Sequence, residues 1–120
     1  MKAKHYLILM LAWMVLIWVL SSIPSKDIPS IEIWGFDKIA HLGIYLVWGV
    51  LAALYLLKRK ASSAMVWISF FIMLLLAALD EFHQLYIPGR QVSVYDLLAN
   101  ASGLLLAFLL FFILKSRESA

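Results

Sequence analysis

Leu79 to Gly103 reads LDEFHQLYIPGRQVSVYDLLANASG, and this stretch decides the fold. It lies between two strongly apolar runs, yet it holds Asp80, Glu81, Asp96 and Arg90 together with His83, Gln84 and Asn100. Pro88-Gly89 marks a turn at its middle, because proline fixes φ at one turn position and glycine accepts a positive φ at the next. Ser93 to Asp96 then reads as a helix start, with Ser93 at the N-cap and Asp96 three residues on. The stretch is therefore a helix end, a tight turn and a helix start, joining two segments whose remaining residues suit lipid. Ionisable side chains at membrane depth are costly and point to function by default.

The rest of the chain repeats this layout. Of 120 residues, 65% are hydrophobic and 14% charged. That is too apolar for an ordinary soluble domain and too sparsely charged to coat one. Four spans of roughly 20 residues fit the length. The expected fold is one all-α domain over residues 1–120, a four-helix transmembrane bundle with short loops. Its helices are expected at about 5–22, 37–57, 63–86 and 93–114. Ser62 and Ser63 offer N-caps to the third helix. Pro24, Pro29 and Gly35 mark the intervening segment as a loop. Within it, Ile31, Ile33, Trp34 and Phe36 suit an interfacial turn at head-group level. The short first run also fits a cleavable signal peptide, with Val19-Leu20-Ser21 as the small-residue site. Its tryptophans, Trp13 and Trp18, and its role as a packing partner favour a retained helix.

Charge placement orients the bundle. The first residues, Lys58-Arg59-Lys60 and the last residues hold seven basic side chains, against Lys26, Lys38 and Arg90 on the other side. The positive-inside rule then puts both termini in the cytoplasm. Six of the seven acids fall at the opposite, outer end. Basic residues flanking apolar runs suit lipid head groups, and no interleaved aromatics support a nucleic-acid partner. The absence of cysteine excludes disulfides and thiolate chemistry.

Helical spacing gathers the polar residues. Asp37, His41 and Tyr45 recur every four residues and share a face, which Trp48 continues. Asp80, His83 and Gln84 share another, with Glu81 beside it, and Asp96, Asn100 and Gly103 a third. At about 1.5 Å per residue, His41, Asp80 and Asn100 each lie roughly 6–10 Å from the polar end of their helix. Three helices thus present polar groups at one level. Ala99, Gly103 and Ala107 form a small-residue stripe that permits close helix contact.

Asp80, Glu81 and His41 are the candidate acid–base groups, since neighbouring carboxylates raise one another's pKa into a useful range. The competing reading is a buried network neutralised by Lys38 and Arg90. Arg90 suits a phosphate or carboxylate ligand; its alternative is a salt bridge to Glu81 or Asp96. Imidazole with carboxylates suits zinc or manganese, but no compact ligand motif is present, and neither a metal nor another cofactor is expected. Tyr45 and Trp48 fit packing roles as well as ligand contact.

The pattern Asp37-Lys38-Ile39-Ala40-His41 with Tyr45, Asp80-Glu81-x-x-Gln84, Pro88-Gly89-Arg90, and Ser93, Asp96, Asn100 and Gly103 resembles the VanZ-like family. These are small membrane proteins named for a teicoplanin-resistance determinant. Ser21-Ser22-Ile23-Pro24 is similar to the end of that family's first helix, and the resemblance covers about residues 15–110. His83 falls at a variable position of the pattern. The resemblance implies a four-helix membrane protein linked to glycopeptide tolerance; it supplies no mechanism. Asp37, Lys38, His41, Tyr45, Gln84, Arg90, Asp96 and Asn100 are the expected ligand-binding set, opening outward in the cell membrane. The expected partners are membrane lipids, a lipid-linked cell-wall precursor or a lipoglycopeptide. The alternative is a small membrane enzyme acting on a lipid-linked envelope substrate.

Overall fold

The computed structural model describes residues 1–24, 36–90 and 92–119, with only the backbone of Phe36. Of the expected interfacial turn, Ile31, Ile33 and Trp34 lie outside these residues, and the backbone of Phe36 begins α2. The described chain forms α1 (Ala3–Ser21), α2 (Phe36–Lys58), α3 (Ser63–His83), a 3-10 turn (Gln84–Tyr86) and α4 (Val94–Glu118), and no strand. All four α-helices are long and apolar enough to cross a membrane. The 21 residues of α3 span about 32 Å at 1.5 Å per residue, close to the thickness of a hydrocarbon core.

Local signals set the helix boundaries. The Ser62 side chain accepts from the Met65 N–H at 3.2 Å and so caps α3. The Ser93 hydroxyl accepts from the Asp96 N–H at 3.4 Å at the start of α4. Gly89 takes φ 75°, the left-handed conformation that the turn requires and that a side chain would strain. At the far end α4 runs to Glu118, four residues past the expected Leu114. Lys115 and Arg117 lie in its last turn, where cations suit the helix dipole, and Lys115 Nζ sits 5.8 Å from the Phe111 ring centroid.

Packing follows the apolar seams. In α3 the buried positions are Val66, Phe70, Met73, Ala77, Asp80 and Glu81, at three- and four-residue spacing. Gln84 continues this line in the 3-10 turn. One seam is thus apolar for most of its length and polar at its last turns. α4 runs the other way, from Asp96 and Asn100 through Gly103, Leu104, Ala107 and Phe108 to Phe111. The core accordingly has an apolar half beside Lys58–Lys60 and a polar half beside Pro88-Gly89. Phe70 of α3 meets Phe108 of α4 edge-on at 5.3 Å in the apolar half.

α2 and α4 form the central pair. A Cβ placed on Gly103 would lie 2.8 Å from Leu46 N and nearer still to Leu42 O, so the two backbones touch there. One at Gly49 would meet Ala107 Cβ at 2.6 Å. Of the expected stripe Ala99, Gly103 and Ala107, the last two are therefore the close contact with α2. α1 leans on α2, where the Trp13 indole N–H donates to Ile44 O at 2.9 Å. Of its residues only Ile17 and Ser21 are buried, which leaves most of its apolar surface for lipid.

Candidate functional site

The polar half of the core is assembled from α2, α3 and α4. The Tyr45 hydroxyl donates to Asp80 Oδ2 at 2.7 Å and joins α2 to α3. Lys38 Nζ donates to Asp37 Oδ2 and Asp96 Oδ1, each at 2.5 Å, and joins α2 to α4. Nδ1 of His41 and Oδ1 of Asn100 lie 3.1 Å apart. A carbonyl oxygen only accepts, so His41 carries its proton on Nδ1. Its Nε2 lies 3.9 Å from Asp96 Oδ2. The Ser93 backbone N–H donates to Glu81 Oε1 at 2.8 Å, so a carboxylate of α3 ties down the first turn of α4.

Exposure falls from the two residues at the start of α2 toward the interior of the bundle. The side chains of Asp37, Lys38, His41 and Asp96 are 63%, 39%, 22% and 12% exposed. Asp80, Glu81, Gln84 and Asn100 are buried. The accessible part of the cluster is consequently Asp37, Lys38 and His41, with Asp96 behind them. The acid–base candidates divide in the same way, with His41 reachable and Asp80 and Glu81 enclosed. Among the described residues, Asp80 Oδ1, Glu81 Oε2, Asn100 Nδ2 and Trp48 Nε1 are buried polar atoms without a partner. No group of three or more His, Asp or Glu side chains among those residues is placed to hold a metal ion.

Arg90 departs from expectation. It pairs with neither Glu81 nor Asp96. Its Nε and Nη2 donate to Ile23 O at 3.1 Å and Leu20 O at 2.9 Å, at the end of α1. The reason is local. Leu20 O would ordinarily accept from the N–H four residues on, but that residue is Pro24, which has none, so its backbone bond is a longer one from the Ile23 N–H at 3.3 Å. One oxygen of Glu81 is meanwhile bound by the Ser93 N–H, and Asp96 is paired with Lys38. Arg90 therefore stands apart from the expected ligand-binding residues Asp37, Lys38, His41, Asp96 and Asn100, which the fold links, while Gln84 is buried in the 3-10 turn.

His83 also faces α1, with its ring 4.7 Å from that of Trp18 and its Nε2 2.9 Å from Ser22 Oγ. Ser22 spends its single hydroxyl proton on Trp18 O at 2.7 Å, so His83 donates. Spacing alone does not reveal this latch, because Ser22 and His83 are 61 residues apart. The available signal is a polar pair at two helix ends that the topology brings to the same end of the bundle.

The charge pair gives a first prediction. Lys38→Met removes the cation beside Asp96. Breaking a fully buried pair costs about 3–5 kcal/mol, but a partly exposed one is screened by water. The expected loss is about 1–2 kcal/mol, read as a lower denaturation midpoint in detergent. Lys38→Arg should recover most of it.

Four spanning helices with a polar cluster near one end define a small multi-pass membrane protein. A family model described as VanZ/LLP1 matches residues 6–115, nearly the whole chain. The chain belongs to the VanZ/LLP1 family. No curated protein and no solved structure matches it.

Proposed function

We propose that this protein sits in the cell membrane with its polar end outward and recognises the head group of an envelope amphiphile. That amphiphile is an envelope lipid, a lipid-linked wall precursor or a lipoglycopeptide antibiotic, and its capture alters glycopeptide susceptibility. The observation that carries the reading is the graded polar chain, from exposed Asp37 and Lys38 through half-buried His41 to buried Asn100. Its outer members offer an acid, a base and an imidazole at one place. Lys38 suits phosphate or carboxylate groups, and Asp37 suits amino or hydroxyl groups. The basic loop Lys58–Lys60 belongs to the other end, as the positive-inside rule requires of an outward polar end. The burial of Asp80 and Glu81 supports a role in shaping this site over direct contact with a bulky substrate.

The test is drug susceptibility in a host expressing the chain, with protein level checked by blot. Asp37→Asn and His41→Gln alter exposed or half-buried groups and spare the apolar seams. Each is expected to remove most of any change in teicoplanin susceptibility while membrane insertion persists. Well-expressed variants that keep the full phenotype make the polar chain structural. A host unaffected by the unmodified chain removes the susceptibility link altogether.

A further inference from the structure

α1 leans on α2 and meets α3 near one end, where Trp18 stacks on His83. Between α1 and α3 the bundle is open. The opening is a groove of about 590 Å³ lined by Met14, Val15 and Trp18 of α1, by Ser22 just past its end, and by Leu76 of α3. That volume lies within the roughly 300–1,000 Å³ of small-molecule sites. Apart from Ser22 and the Trp18 indole N–H, the lining side chains are apolar, and in a spanning bundle the groove is open to acyl chains.

Its polar end carries a different chemistry. The His83–Ser22 bond closes it, and the Arg90 guanidinium rests on the Leu20 and Ile23 carbonyls just beyond. These two bonds use two of the five N–H donors of arginine and leave three. Arg90 is half-buried and has no carboxylate within ion-pair distance among the described residues. A fork of donors bound to the carbonyls on either side of Ser22, the polar residue that lines the groove, matches the build of a phospholipid, with phosphate at one end and hydrocarbon along the groove.

We propose that the α1–α3 groove is a lipid site that takes one acyl chain of an anionic phospholipid, with the phosphate on Arg90. The anionic class is preferred because the ammonium of a zwitterionic head group would be repelled by the same guanidinium. The site is separate from the Asp37–Lys38 face and does not depend on the function proposed for it. It also gives Arg90 two linked tasks, since the side chain that grips the lipid also holds the end of α1.

Brominated acyl chains quench tryptophan fluorescence on contact. The chain would be placed in vesicles holding equal fractions of brominated phosphatidylglycerol or brominated phosphatidylcholine. Quenching specific to Trp18 is the difference between the chain and its Trp18→Phe variant. One basic group at an anionic surface corresponds to a roughly fivefold preference for the anionic lipid. Arg90→Gln should abolish that preference, and Asp37→Asn should leave it intact. Should Arg90→Gln fail to insert, Val15→Phe decides: it narrows the groove from an exposed position and should reduce Trp18 quenching by the anionic lipid. Equal quenching by the two lipids in the unmodified chain overturns the proposal. So does a preference that survives Arg90→Gln, or undiminished quenching in Val15→Phe.

Discussion

Gly103→Ala is expected to cost the bundle about 3 kcal/mol, while Gly43→Ala on the facing helix gains up to about 1 kcal/mol. Alanine is the better helix former by roughly 1 kcal/mol, so both substitutions begin with the same advantage. Space then decides. At Gly43 a new Cβ meets nothing within 4 Å. At Gly103 it meets the backbone of Leu42 and Leu46, which cannot rotate away as a side chain can. α4 must therefore move off α2, opening the contact at the centre of the bundle, and overpacking of this kind costs typically 1–3 kcal/mol and sometimes more. The same shift would pull Asn100 from His41 and Asp96 from Lys38. Denaturation of both variants in one detergent gives the comparison. Equal stability of the two would mean that α2 and α4 are not packed backbone to backbone.

Tyr45→Phe is expected to cost about 2–3 kcal/mol, though it removes a single oxygen. The ring can stay in place, edge-on to Trp48 at 5.7 Å. What changes is Asp80, whose Oδ1 already lacks a partner and whose Oδ2 depends on the Tyr45 hydroxyl. Leaving a buried polar group unsatisfied costs about 1–3 kcal/mol, and more for a charged one. A double-mutant cycle with Asp80→Asn separates this from lost packing. If the tyrosine acts through Asp80, the double variant loses clearly less than the two single losses added together. Additive losses would assign the effect to packing.

These two sites also show how far the polar core is legible in residue spacing. The repeats Asp37–His41–Tyr45 and Asp96–Asn100–Gly103 place side chains on shared faces, because a helix turns by 3.6 residues whatever surrounds it. The small stripe at Gly103 and Ala107 is legible for the same reason. Spacing does not reveal depth across the bundle. His41 and Tyr45 share a face, yet only Tyr45 is buried, because the third dimension is set by how closely α2 approaches α4. Arg90 fails for another reason. Its nearest acids in sequence are the expected partners, but each already has a bond from elsewhere, and Arg90 instead reaches two carbonyls 67 and 70 residues away at the end of α1. The clue was present in Pro24, which lacks the N–H that would serve Leu20 O. A missing donor in one helix is a demand that a distant side chain can meet, and periodicity carries no record of it.

The functional account rests on which way the polar end faces, and the cysteine-free chain allows a direct measurement. Val92→Cys lies in the loop between α3 and α4, at the polar end, and Ser63→Cys lies at the start of α3, beside the basic loop; both positions are exposed. In intact cells, a membrane-impermeant thiol reagent is predicted to label Val92→Cys at once and Ser63→Cys only after permeabilisation. Labelling of Ser63→Cys but not Val92→Cys would turn the polar end toward the cytoplasm and contradict recognition of an envelope amphiphile from outside.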